Sequence, residues 1–560
     1  MSWRAFPLRR YAPALIVATA LLLVVIVAPS KGPSTSSAAL AGGVASGIPT
    51  TGSTAPGYVS PTASAAAGAG KKGHNAATPG SGGTAAAGTS GASGVTPASG
   101  STAHCVHGLQ FSVPGFEAAP PCQPTFAGNN GGATFRGVTA SRIEVVYYQP
   151  KSSLALNAIL GPAGLAPSVA QVDDYIARAT QFINSRYELW GRKLHVDDFV
   201  SQSCQASPPS DACFRQDAQT IVAKYHPFAV IFPRNITAPG FNAELSHLGV
   251  TNLGGMNMPL SFSAEQAPYH FDYDMDGDTQ AELTGEWYCK ELANRKATYA
   301  GEADLRGKPR SAEVLSEDTP EHVEAANRLA AIINHCDHGG GATVKTYSPD
   351  TSQAVVQSTT LASQAKQNGI TTMLYFTDPV FPVYLTPQMT NQNYFPENVV
   401  VGSAYLDFDA LAQLYNAQQW KNAFGLGDLP DMAPLSHYDS GAVYRSTHGS
   451  QGPFISAANI QGFFTVLAAG LQQAGPTLNP TSFESGVLTL PAVGGSRYHS
   501  LIKFGAGDLT GVSDARIIFW DPSKRSPVNG KAGTYVALDH GRRYTLGAVP
   551  SRTFTIPGRG

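Results

Sequence analysis

The chain has 560 residues, 37 Lys and Arg against 39 Asp and Glu, a net charge of −2 and only 14% charged residues. That length allows several domains, and the near-neutral balance excludes a polyanion such as nucleic acid as the expected partner. The 58 glycines and 40 prolines crowd into the stretch after Lys31, which marks a first boundary.

Arg4, Arg9 and Arg10 precede a charge-free apolar run from Tyr11 to Pro29. This is a positive segment followed by an export-type hydrophobic segment. The run is about 19 residues, near the ~20 needed to cross a hydrocarbon core. Small-residue cleavage candidates such as Ala39-Leu40-Ala41 lie well beyond it, so residues 1–31 read as a signal peptide or a signal-anchor, with the uncleaved transmembrane anchor favoured. No cysteine follows closely, the first being Cys105, which excludes a lipid-modified amino-terminal cysteine. The flanking positive charge keeps the amino terminus inside, which places the rest of the chain outside the cytoplasm, at the cell surface and anchored to the plasma membrane. Residues 32–104 are Gly, Ala, Ser, Thr and Pro with almost no large apolar side chain. They cannot form a core and are expected to behave as a disordered tether, with a reach of roughly 45 Å.

Six cysteines follow: Cys105, Cys122, Cys204, Cys213, Cys289 and Cys336. An even count in an exported chain reads as disulfides, and pairing of nearest neighbours is the simplest of about 15 connectivities. The alternative is a metal site suggested by His335-Cys336-Asp337-His338; it lacks the CxxC pairs such sites use.

Residues 105–136 form a Cys-bracketed lead-in, and then strands and helices alternate. Arg142–Tyr148 reads as a strand. Val169–Ser185 is a helix with Val172, Tyr175, Ile176, Ala179, Phe182 and Ile183 on one face. Leu194–Val200 is a strand, Phe214–Lys224 a helix and Pro227–Phe232 a buried strand. A second set begins after Cys289 with a short strand at Lys296–Tyr299. Thr319-Pro320-Glu321 then opens a helix with a capping residue, proline at the first position and an early acid. Its inward positions are Val323, Ala326, Leu329, Ala330 and Ile333, and it stops at Gly339-Gly340-Gly341. Ala342–Tyr347 is a strand, Asp350–Gln367 a helix and Ile370–Phe376 a strand. Two α/β units in tandem place the default ligand site between them, outside the carboxyl ends of the strands.

Gly137-Val138-Thr139, Ile183-Asn184-Ser185-Arg186, Gly191-Arg192-Lys193-Leu194 and Ala297-Thr298-Tyr299-Ala300-Gly301-Glu302 recur in a characteristic order. Leu374-Tyr375-Phe376-Thr377-Asp378-Pro379, Asn393-Tyr394-Phe395-Pro396, Ala423-Phe424-Gly425, Ala474-Gly475-Pro476-Thr477-Leu478 and Trp520-Asp521-Pro522 continue it. In order and spacing over about Gly137–Leu538 the chain resembles the type I periplasmic binding proteins, specifically the branched-chain amino-acid (Leu/Ile/Val) substrate-binding branch of ABC transporters in its actinobacterial form. The resemblance implies an α/β fold of two doubly wound parallel-sheet lobes joined by a three-stranded hinge. Crossings are expected near Glu282, Tyr405 and Arg497. Lobe 1 would then be 137–282 plus 405–497, lobe 2 would be 283–404 plus 498–545, and 546–560 would be a tail. It further implies a small amino-acid-like solute and a membrane permease as partners. A tethered sensory or protein-interaction module on the same fold is the alternative.

Family members hold the α-ammonium of an amino acid with an acid, for which Asp378 is the match; a strand-end Asp-Pro turn is the other reading of that residue. Tyr347 resembles the cleft tyrosine, a half-buried core tyrosine being the other reading of it, and Tyr405 joins the set. On the first lobe the strand ends supply Tyr148, Gln149, Asn235 and Thr237. Arg234 and Asn235 stand where the family has a Gly/Ser-rich turn, which widens the expected ligand from leucine-like to small and polar, since Arg234 could pair with a second carboxylate.

Asp272-Tyr273-Asp274-Met275-Asp276-Gly277-Asp278 resembles the front of a calcium loop, with Asp272, Asp274 and Asp276 as candidate ligands. The twelfth position is Leu283, with Glu282 one residue early, so an acidic surface turn is the alternative. No other cofactor is expected. Gly-x-Ser-x-Gly, His-Glu-x-x-His and Gly-x-x-x-x-Gly-Lys-Ser/Thr are absent from the sequence and the 14 histidines are scattered, which points to a binding protein and away from an enzyme.

Overall fold

The computed structural model describes residues 100–151, 153–205, 210–232, 238–255, 257–449, 453–551 and 555–557. The apolar run Tyr11–Pro29 and the tether up to residue 99 lie outside them. Among the described residues no helix is long and apolar enough to cross a membrane.

The first sheet is parallel and built from β1 Arg142–Lys151, β2 Lys193–Gln205, β3 Ala229–Ile231, β4 Thr251–Leu253 and β5 His270–Phe271, in the order β2-β1-β3-β4-β5. Between these strands run α1 Leu154–Leu160, α2 Val169–Arg186, α3 Asp211–Tyr225, α4 Pro239–His247 and α5 Leu260–Glu265. α2 starts on a capping box between Ser168 and Gln171, and its buried face is the six residues that the periodicity picks out.

The second sheet has eight strands. After α6 Gly277–Glu291 come β6 Ala312–Glu317, α7 Pro320–Cys336, β7 Ala342–Tyr347, α8 Ala354–Gln367, β8 Thr372–Phe376, α9 Phe381–Asn391 and β9 Glu397–Val400. Short α10 Asp409–Ala412 and α11 Ala417–Trp420 lead to β10 Ala423–Gly427. The chain then returns to the first lobe, where α12 Asp439–Ser446, α13 Ala457–Gln473 and α14 Pro480–Leu488 share a core with α2. It ends on β11 Asp514–Arg525, β12 Ala532–Ala537 and β13 Arg543–Thr545. The sheet order is β12-β11-β10-β9-β8-β6-β7 with β13 on β11, parallel from β7 to β10 and antiparallel at the β11 edge.

Sheet membership fixes the crossings between lobes. The first is at residues 272–276, just ahead of α6, in which Glu282 lies. The second is at residues 428–438 rather than at Tyr405, because β10 still pairs with β9 in the second sheet; residues 405–427 therefore belong to lobe 2. The third occupies residues 497–513. The first and third run side by side: Asp272 N–H donates to Leu509 C=O at 3.0 Å and Val512 N–H to Tyr273 C=O at 3.0 Å. The segment after β13 is not a free tail throughout, since Val549 and Ile556 are buried in the second lobe's core.

Lys296–Tyr299 is not a strand; Lys296 makes an isolated bridge to Pro309, and the strand at that place in the order is β6. Val323 of α7 is only half-buried, its place inside being taken by His322 and Ala325. The lead-in is part of lobe 1: Phe111 and Phe116 pack on Phe182 of α2 at ring distances of 5.4 and 5.2 Å, and Gln472 Nε2 donates to Pro121 C=O at 2.8 Å. The three disulfides pair nearest neighbours, Cys105–Cys122, Cys204–Cys213 and Cys289–Cys336. The last ties the end of α6 to the end of α7.

Beneath the second sheet Arg310 and Glu397, 2% and 0% exposed, form a bidentate pair at 2.8 and 2.9 Å. Their remaining valences are filled by Leu292 C=O, Thr372 Oγ1 and Tyr299 N–H. Removing one partner strands a buried charge, so Glu397→Ala is expected to cost about 3–5 kcal/mol. The double variant Arg310→Met/Glu397→Leu should cost less than Glu397→Ala alone, both measured by chemical denaturation.

Candidate functional site

A cavity of about 870 Å³ lies between the carboxyl ends of the two sheets. In the first sheet the strand order reverses between β1 and β3, in the second between β6 and β8; these are the switch points at which α/β sheets take ligands. Gln149 and Lys151, at the carboxyl end of β1, reach the cavity. Glu317, Asp318 and Glu321 enter after β6, Asp350 after β7 and Asp378 after β8. Tyr273, Leu429 and Ser500, one from each crossing, complete the lining. Leu156, Leu160, Phe408, Leu411 and Ile460 give it an apolar component.

Asp378 reaches the cavity from a turn that also starts α9. Its Oδ1 accepts from Val380 N–H at 2.7 Å and Phe381 N–H at 3.0 Å, while Tyr347 OH donates to Oδ2 at 2.5 Å. The turn reading and the lining reading of this residue therefore hold together. Burial pushes the carboxyl upward, and these hydrogen bonds pull part of the way back. Tyr347 stands behind it: 2% exposed, stacked on Phe381 at 3.6 Å and accepting from Asp378 N–H at 2.9 Å. Its ring is spent on the protein, so it positions Asp378 and does not line the cavity.

Tyr148 is also outside the cavity. It points to the opposite face of β1, fully buried against Phe199, Phe232 and Phe241, with its OH donating to Asp217 Oδ2 at 2.8 Å. Tyr147, one residue earlier, lines the cavity instead. Gln149 Nε2 donates to Asp198 Oδ1 at 2.6 Å, and burial lifts that carboxyl to about 6. Tyr405 lines the cavity from a left-handed turn, φ 66°. Asn235 and Thr237 lie outside the described residues, as does Arg234.

In the acidic run at the first crossing Asp272, Asp274 and Asp276 are all buried, so it is not a surface turn. Asp276 caps α6, accepting from Thr279 N–H at 2.7 Å through Oδ1 and from Thr510 Oγ1 at 3.1 Å through Oδ2. Asp272 Oδ1 accepts from Asp274 N–H at 3.1 Å. Helix begins at Gly277, so residues 277–283, the back half of the twelve-residue pattern, are helical. Among the described residues, three-residue sets of His, Cys, Asp or Glu with ligand atoms mutually within 4.8 Å are His104, Cys105, Cys122 and Glu144, His195, Asp197. The disulfide consumes the first, and Arg142 sits on the second, 2.7 Å from His195 Nδ1 and paired to Glu144. Asp276→Ala should lower stability by about 1 kcal/mol through the lost cap, with or without added Ca²⁺ in a thermal melt.

Residues far apart in sequence add a cluster at one side of the cavity. His499, on the third crossing, lies between Glu117 of the lead-in at 2.9 Å and Asp439 at the start of α12 at 3.3 Å, and all three line the cavity. Burial lowers the imidazole's pKa, but Asp439 and then Glu117 outweigh it and the net direction is upward. The imidazolium is therefore the form that steadies this junction, fully below the ordinary value near 6.5 and progressively less as pH rises through the folded value. The stability difference between the wild type and His499→Gln is expected to be largest near pH 6 and to shrink by pH 8.5, as read from urea midpoints across that range.

No family model matches the chain, and no curated protein matches it. Solved structures do. A solute-binding protein of an ABC transporter from Rhodopseudomonas palustris BisB5, in complex with 3,4-dihydroxybenzoic acid, superposes with a TM-score of 0.50 at 12% identity, covering 72% of this chain and 98% of that one. A leucine-, isoleucine-, valine-, threonine- and alanine-binding protein from Brucella ovis, in its closed conformation, superposes with a TM-score of 0.50 at 10% identity, covering 73% and 97%. The fold is that of the type I periplasmic binding proteins, and at these identities the likeness speaks for the fold alone.

Proposed function

We propose that the protein is an extracytoplasmic solute receptor, which captures a small amino-acid-like solute between its lobes and delivers it to an ABC-type membrane permease. The observation that carries this reading is the cavity of about 870 Å³ at the paired switch points, where acids and amides from several loops converge on an apolar floor. Its volume lies within the ~300–1,000 Å³ typical of ligand sites. Three crossings at one end leave the lobes free to close on a solute by hinge motion. The amino-terminal apolar run and the tether fit a receptor held near a permease at the plasma membrane.

The proteins of like fold named above are solute receptors, which accords with a binding role and not a catalytic one. A surface module on the same fold that had lost small-molecule binding and served protein contact would have no use for a cavity of this size, and side chains would be expected to fill it.

Isothermal titration of the purified full-length chain against amino acids, amides and short organic acids and amines should yield at least one ligand. Asp378→Asn should weaken that ligand by about 10- to 100-fold, the range for losing a charge-assisted hydrogen bond. Silence across the whole panel would remove the receptor reading in favour of the interaction module.

A further inference from the structure

We propose that the cleft takes a net-cationic solute, an amine or guanidinium carried on an aliphatic stem; this rests on the receptor reading above and names its substrate class. The second-lobe wall is formed by the ends of three strands, β6, β7 and β8. It carries Glu317, Asp318, Glu321, Asp350 and Asp378; the basic group next to them, His322, is buried on α7 with its Nδ1 2.7 Å from Thr319 Oγ1 and is not part of the lining. Glu317 is only 1% exposed, so its carboxyl sits largely out of water.

The opposite side does not supply the missing cations. Among the described lining residues the basic groups are Lys151 and His499. Lys151 is exposed at the rim, and His499 is taken by Glu117 and Asp439. The start of α7 offers no anion site, since Pro320 lacks an N–H and Glu321 already occupies the positive end of the helix dipole.

An independent observation points the same way. Glu321 Oε2 on the second lobe and Asn459 Oδ1 on the first are both shielded from solvent, and neither receives a hydrogen bond, although both residues line the cavity. Two acceptors left without a partner beside the cavity are matched by a ligand that donates N–H bonds. Leu156, Leu160, Phe408 and Leu411 between them suit a run of methylenes. A benzoate or a leucine carboxylate would instead meet carboxylates it must repel and acceptors it cannot satisfy.

The test is calorimetry on the full-length chain with two sets of probes: spermidine, putrescine, arginine and lysine against leucine, isoleucine, glutamate and benzoate. The cationic set is expected to bind, at least tenfold more weakly in 0.5 M than in 0.05 M NaCl. Glu321→Gln and Asp318→Asn together should cost that binding a further tenfold or more while lowering the melting temperature by no more than about 2–4 °C, the share of the lost helix-dipole charge. If the neutral and anionic set binds as well as or better than the cations, the charge class is wrong and the receptor reading stands. If the cations bind with no loss in the double variant, the second-lobe wall does not select them and the proposal falls. If neither set binds, this proposal falls, and the receptor reading is decided by the wider panel that includes amides.

Discussion

Two guanidinium groups hold the base of the cleft. Arg516 of β11, wholly buried, pairs with Asp431 and donates to Leu429 C=O at 2.8 Å. Arg543 of β13 pairs with Asp514 at 2.8 Å and donates to Asp428 and Leu429 carbonyls at 2.6 and 2.9 Å. The second crossing is thus an irregular segment whose carbonyls are satisfied by arginines of the second lobe, where the first and third crossings satisfy each other as adjacent backbone. A buried arginine tolerates little displacement, because its desolvation is offset only while its partners stay in place. Asp431 also receives Arg497 of the third crossing, so all three crossings are registered against one another. The strand ends above them, and with them the cavity walls, inherit their spacing from this junction.

That junction is the part of the molecule least visible in a linear sequence. α2 and β7 announce themselves, the helix through six apolar positions at helical spacing and the strand through a short run ending at a turn. The cysteine pairs are local and so are legible as neighbours. β6, by contrast, reads Ala-Glu-Val-Leu-Ser-Glu with every residue buried. Its two acids break the apolar run that marks an interior strand, and burial lifts Glu313 to about 7, so that it titrates near neutrality. The helix start at Thr319-Pro320-Glu321 was the available signal that a strand had just ended. The second crossing is misplaced for a related reason: Phe408–Trp420 contains two one-turn helices with no periodicity of their own, and nothing local shows that β10 returns to the same sheet.

The first lobe's misassigned tyrosine has a different cause. A strand buried on both faces carries apolar residues at every position, and the alternation that tells one face from the other is lost. Val145 to Tyr148 are all buried, so the sequence cannot say whether Tyr147 or Tyr148 turns toward the cleft. For the second lobe the acid was identifiable and the tyrosine's role was not: the Asp378 carboxyl needs a donor when removed from water, Tyr347 supplies it, and Phe381 occupies the ring face that a ligand would otherwise use.

The cleft is also bridged at its mouth. The connection after β1 carries Leu160 and Leu165 across to the second lobe's core, and Lys531 of the second lobe donates to Pro162 C=O at 3.2 Å. Opening the lobes must expose these two leucines. Each fully buried leucine is worth about 1.5–3 kcal/mol, and these are buried only in part, so the bridge favours the closed arrangement by a few kcal/mol at most. That is the size of bias a solute can add to or overcome, since a ligand shifts such an equilibrium only by its difference in affinity for the two states. Closure also takes the acidic wall out of water, which costs free energy, and a solute that neutralises that wall would reduce the cost. The mouth bridge and the charged wall therefore act on the same equilibrium with opposite sign, and on the receptor reading proposed above a bound solute would decide between them.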